Sequence, residues 1–90
     1  MSIVVRIPTQ LRTLTQNQEE VTASGDTVRA LVDDLGGRFP GLRERIVDDK
    51  GIRRFINVFL NDEDVRFLDK LDTAVKAGDV VSLIPAVAGG

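Results

Sequence analysis

The sequence contains no cysteine and no histidine, and it lacks tryptophan and tyrosine as well. Without cysteine there is no disulfide, no thiol nucleophile and no thiolate ligand. Without histidine there is no imidazole to move protons near neutral pH, and no zinc site of the usual nitrogen and sulfur kind. Four phenylalanines are the only aromatics, and 12 Lys and Arg face 14 Asp and Glu for a net charge of −2. Nucleic-acid binding needs a basic surface and stacking platforms, and this composition supplies neither. No run of about 18 apolar residues occurs, and no basic-then-apolar leader opens the chain, so the expectation is a cytoplasmic protein with no membrane span. Whatever chemistry the chain joins, its side chains are poorly equipped to perform it.

What is present suits one small globular domain. The chain has 90 residues, 42% of them hydrophobic and 29% charged, an ordinary soluble balance. Ile3-Val4-Val5-Arg6-Ile7, stopped by Pro8, reads as a strand with Ile3, Val5 and Ile7 on one face. The polar stretch from Thr9 to Gln18 reads as a hairpin loop, with Glu19–Thr22 as the short return strand. Ser24-Gly25-Asp26-Thr27 offers a helix cap, and Val28, Leu31, Val32 and Leu35 then recur at helical spacing. Gly36-Gly37 is expected to stop that helix.

Phe39-Pro40-Gly41 reads as a turn, followed by a short helix or loop holding Leu42 and Ile46. Asp48-Asp49-Lys50-Gly51 is a second turn, and Phe55–Leu60 a strong strand with Phe55, Asn57 and Phe59 sharing one face. Asn61-Asp62-Glu63-Asp64 turns the chain into a brief strand at Val65-Arg66-Phe67. Leu68, Leu71 and Val75 suggest one or two helical turns, and Val80–Ile84 is the last strand.

One helix must then cover one face of a small mixed sheet. The first and last strands, both rich in β-branched residues, are expected side by side and parallel, joined by the long crossover. This is an α+β chain of the β-grasp, ubiquitin-like kind, with four to five strands. Residues 1–84 form the domain, and 85–90 a flexible tail.

That tail is Pro85-Ala86-Val87-Ala88-Gly89-Gly90. Six extended residues reach about 20 Å, comparable to the radius of so small a domain. An α-carboxylate, with a reference pKa of about 3.5, is ionised at neutral pH and can attack the α-phosphate of ATP. Glycine has no Cβ, so such an end can thread a narrow channel and leave the reacting carbonyl uncrowded. A Gly-Gly end is by itself also what an inert tail looks like; its place directly after a last β-grasp strand gives it meaning.

With these residues in view, the sequence resembles the small ubiquitin-like sulfur carriers. The resemblance rests on Gly25-Asp26-Thr27-Val28, Phe39-Pro40-Gly41-Leu42, Val58-Phe59-Leu60-Asn61, Gly78-Asp79 and the Pro85–Gly90 end. The length of Phe39–Arg54, with Arg54–Val58, Asn61–Phe67 and the Ala-Val-Ala-Gly-Gly end, looks closest to the carriers of cysteine biosynthesis. The small subunit of molybdopterin synthase is the neighbouring alternative, and a ubiquitin-like protein modifier a third.

The resemblance implies a protein co-substrate rather than an enzyme. An E1-like activating enzyme would spend ATP to adenylate Gly90, and sulfur would then replace AMP to give a thiocarboxylate. Gly90 is the reacting residue and Gly89 leaves it room. Phe59, Ile84, Pro85, Val87 and Ala88 are the candidates for partner binding. The acceptor would be a synthase resembling cysteine synthase or the large subunit of molybdopterin synthase. A zinc-dependent peptidase would release product in the cysteine route. No bound cofactor or metal, nucleic acid or membrane is implied.

Two charged stretches remain. Asn61-Asp62-Glu63-Asp64 lacks the spaced ligands and central glycine of a calcium loop, so a solvated turn is the simpler reading, with steering toward a basic enzyme surface as a second role. Arg38, Arg43, Arg45, Arg53 and Arg54 are interleaved with acids, as a mixed solvated surface would be, and could meet an acidic partner.

Overall fold

A computed structural model describes residues 2–85. The first strand, β1 (Ser2–Arg6), turns back through a loop into β2 (Glu20–Ser24), and the two pair antiparallel. The loop is more ordered than its polar composition suggested. Thr9–Leu14 coil into a 3-10 helix, with Leu11 buried. Buried Thr15 closes the loop by donating its hydroxyl to the carbonyl of Gln18 at 3.1 Å, which satisfies a group that would otherwise be costly to bury.

Helix α1 (Val28–Arg38) starts where the side chain of Thr27 accepts a hydrogen bond from the amide of Ala30 at 3.2 Å. Its buried stripe is Val28, Leu31, Val32 and Leu35, which share one core with Ile3 and Val5 of β1 and with Ile7 just after it. Each of these side chains contributes roughly 1.5–3 kcal/mol on leaving water.

The helix does not stop at Gly36-Gly37, which corrects the sequence reading. It runs to Arg38, and the terminator is Phe39-Pro40: the residue before proline is driven to extended backbone, here φ −124° and ψ 90° at Phe39. Gly36 serves packing instead. A Cβ built there would lie 2.7 Å from Cβ of Arg43, so its absence lets α2 (Leu42–Ile46) come close. Leu42 and Ile46 of that short helix are both fully buried.

A small hairpin, β3 (Val47–Asp48) and β4 (Gly51–Ile52), follows. Strand β5 (Ile56–Leu60) then starts one residue later than expected, leaving Phe55 outside it. The brief strand after the acidic turn is β6 (Glu63–Asp64), which pairs with β5. Val65–Phe67, expected as a strand, is a 3-10 turn, because the carboxylate of Asp64 caps it by accepting from the amide of Arg66 at 2.9 Å. A further 3-10 turn occupies Lys70–Asp72.

The last strand, β7 (Val80–Pro85), lies between β1 and β5. It is parallel to β1 and antiparallel to β5, and the full sheet order is β2-β1-β7-β5-β6. The crossover thus places the two β-branched strands at the centre, as the pattern required.

Candidate functional site

The carboxyl end of β7 decides how the chain's last residues leave the domain. Val81 and Leu83 point into the core at 3% exposure, so Ser82 and Ile84 face the other way. The register with β5 sets Ser82 opposite Phe59 and Ile84 opposite Asn57. Phe59 and Ile84 are therefore diagonal neighbours, roughly 7–8 Å apart. Val4, half-buried and paired with Val80, continues the same face toward β1. Ile84 is 45% exposed, while Phe59 is half-buried and stands outside the core cluster. The sheet thus keeps an apolar diagonal on the side away from α1.

Pro85 is the last residue of β7 and sits opposite Ile56. Having no N–H, it donates nothing to the ladder. Pairing with β1 has already ceased, because its last partner on β7 is Ser82. The strand thus emerges with β5 on one flank and an open depression on the other, bordered by Ile7, Pro8 and Thr9. A second depression lies on the β5 side, where Leu11, Phe55 and Ile56 meet Pro85. Phe55 is 59% exposed there. Sequence reading assigned it to the strand face beside Phe59; its role at the root of the tail follows only from β5 starting at Ile56.

Arg66 braces this region and was not singled out from sequence. Its guanidinium donates to Oδ1 of Asn57 at 2.6 Å and to the carbonyls of Arg53 and Ile56 at 2.7 Å each. One side chain therefore ties the segment after β6 to the beginning of β5. Three bonds from one half-buried guanidinium make the backbone around Phe55 stiff.

The acidic run is used in folding. Asn61 adopts a left-handed φ of 57°, accepts from the amide of Val80 at 3.1 Å and donates to Asp79 at 3.3 Å. Asp64 caps the next turn. These bonds account for Asn61 and Asp64 as turn residues.

Of the residues expected to act, Phe59, Ile84 and Pro85 are brought together on the last strand and its neighbour. Val87, Ala88, Gly89 and Gly90 lie outside the described residues. No helix among the described residues is long and apolar enough to cross a membrane.

Comparison with known proteins shows the family and the fold. Residues 5–90 match the model of the ThiS family. The sulfur carrier protein CysO of Mycobacterium tuberculosis is 47% identical over 93 residues, covering all of both chains. A chain in the crystal structure of the Amycolatopsis orientalis BexX/CysO complex superposes with a TM-score of 0.93 at 48% identity, covering 98% of this chain and 99% of that one. The small archaeal modifier protein 3 of Haloferax volcanii is 38% identical over 66 residues, 73% of this chain and 67% of that protein.

Proposed function

This chain belongs to the ThiS family and is a sulfur carrier; from that premise we propose that it carries sulfur as a thiocarboxylate on Gly90 and delivers it for cysteine synthesis. The single observation that supports this most is the open end of β7. Pro85 opposite Ile56 is the last pair among the described residues, an apolar diagonal lies beside it, and the sequence continues for five residues ending in Gly89-Gly90. The end of the chain is offered to a partner, and the domain acts as a handle.

The chemistry needs only the main chain. The Gly90 carboxylate attacks the α-phosphate of ATP in the activating enzyme, and pyrophosphate leaves. A sulfur nucleophile then adds to the acyl-adenylate carbonyl and expels AMP, leaving the thiocarboxylate. Gly89, with no Cβ, lets the last residues lie flat in a narrow channel. Pro85 and Val87 direct the tail, Ala88 keeps it slim, and Phe59 and Ile84 rest on the partner. The partners are an E1-like adenylating enzyme, an acceptor synthase of the cysteine-synthase kind, and a zinc peptidase that removes the product. The protein is consumed and regenerated as a co-substrate. A cytoplasmic setting suits that cycle.

The test is sulfur delivery. The thiocarboxylate form is mixed with an activated serine and the synthase from the same genome, and the chain is weighed by mass spectrometry. A cysteine residue attached at Gly90 is expected. Delivery to a pterin precursor, with none to serine, would move the protein to the molybdopterin route. The Haloferax relative, named a modifier, supports a second reading in which Gly90 is joined to lysines; isopeptide-linked adducts in the cell would establish it.

A further inference from the structure

The sequence grouped Arg38, Arg43, Arg45, Arg53 and Arg54 as one mixed basic stretch, but the fold divides them. Arg38 pairs with Asp34 at 3.0 Å along α1, and Arg43 of α2 pairs with Asp33 of α1 at 3.0 Å. Arg45 and Arg53 instead border the depression beside Phe55 and Pro85. Arg6 and Arg12, from the opposite end of the chain, border the depression on the other side of Pro85. Among the described residues, Arg12, Arg45 and Arg53 form no ion pair, and Arg6 has an exposed one with Glu20 at 3.4 Å. The two depressions together carry four guanidiniums and one carboxylate, Glu44.

The other end of β7 has the reverse sign. Asp62, Glu63 and Asp64 follow the turn at Asn61, whose amide donates to the carbonyl of Val80 at 2.7 Å, and Asp79 adjoins it. Five residue steps of β7 separate Val80 from Pro85, about 17 Å. A chain of net charge −2 therefore holds a local excess of positive charge where its last residues emerge.

We propose that this ring of arginines around the root of the tail docks on an acidic protein surface surrounding the channel that receives Gly90. The inference rests on the carrier reading and adds the sign of the partner's surface to it. Four positive groups placed around the tail orient the encounter, so that the tail approaches the channel first. The acidic turn at Asp62–Asp64 points the opposite end of the strand away from that surface, and it does not lead the docking.

Two full-length variants test this: Arg45→Glu with Arg53→Glu at the ring, and Asp62→Lys with Glu63→Lys at the far end. Each is measured for calorimetric binding to the activating enzyme of the same genome without ATP, and for kcat/KM of ATP-dependent activation. At about 0.02 M salt the ring variant should bind and react at least about tenfold more weakly, mainly through KM. In about 0.5 M salt the deficit should shrink to within about twofold. The far-end variant should stay within about twofold throughout. Circular dichroism confirms that both are folded.

Unchanged binding by the ring variant, or a larger loss at the far end, overturns the proposal while leaving the carrier reading intact. Ring-dependent binding with no activation of the unaltered chain overturns the carrier reading and leaves the acidic docking surface standing. Failure of the unaltered chain both to bind and to be activated overturns both.

Discussion

At its first residue β7 is held by side chains: Asn61 accepts from the amide of Val80, Asp79 receives the amide of Lys76 at 2.9 Å, and Asp79 itself is buried. At its last described residue the bracing is indirect, through the guanidinium of Arg66 on the carbonyl of Ile56, the partner of Pro85. Pro85 has no amide to donate, the β1 ladder has stopped at Ser82, and Phe55 and Ile84 stand exposed alongside. The polar residues of the first end satisfy the fold. At the second end Arg12 and Arg53 donate to the carbonyls of Ile7 and Glu44 while their charges stay unpaired among the described residues, and Phe55 and Ile84 are exposed, the features on which the docking proposal rests. One strand thus has an end held by polar side chains and an end flanked by exposed apolar ones.

The sharpest way to break this comparison is at Gly90. Gly90→Ala, or one added residue, should lower the rate of ATP-dependent activation by more than about a hundredfold, while Tm stays within roughly a degree because a chain terminus packs little. Pyrophosphate release and a thermal melt measure the two sides.

The converse variant is Asp79→Ala. It strands the amide of Lys76 and the amide group of Asn61. A loss of about 2 kcal/mol, or roughly 10 °C in Tm, is expected with unchanged activation of the folded fraction. Phe59→Asp should weaken partner binding about tenfold, near 1.4 kcal/mol, without unfolding the domain. An unfolded variant would place Phe59 in the core.

Two smaller effects sharpen the structural side. Gly36→Ala should cost about 1 kcal/mol, because the new methyl group meets the Cβ of Arg43, whereas Gly37→Ala faces open space and should gain about 0.5 kcal/mol from helix propensity. Denaturant midpoints separate the signs.

The smallest effect concerns Asp34. Its carboxyl sits below its ordinary value of 3.8, first because the amide of Ser24 donates to it and then because Arg38 lies beside it, with burial opposing. A group whose folded value is depressed contributes stability above its unfolded value and loses it as pH falls through the folded one. Asp34→Asn should therefore cost about 0.5 kcal/mol at pH 7 and progressively less below about pH 4. Melts across that range would show the two curves converging.

Much of this was legible in the chain. Ile3, Val5 and Ile7 announced β1 by strict alternation, Thr27 and the Val28–Leu35 spacing announced α1, and the same alternation put Asn57 and Phe59 on one face of their strand. Local signals sufficed wherever one periodic pattern faced one core. Gly36-Gly37 was misread because glycine also permits close helix packing, and only the position of Arg43 distinguishes that use from a helix stop. Val65–Phe67 had a strand's composition but was coiled by the Asp64 cap. Arg45 and Arg53 were visible within the basic middle of the chain, but Arg6 and Arg12 had no local signal, since only the fold brings them beside Pro85. Arg66 was hidden for a related reason: two of its three acceptors are backbone carbonyls, which no side-chain motif reveals.

The most direct test of the account is the intact mass of the chain after incubation with ATP, sulfide and the activating enzyme. The account predicts a gain equal to one oxygen exchanged for one sulfur, located at Gly90. An unchanged mass, with an enzyme that charges another carrier under the same conditions, would contradict it.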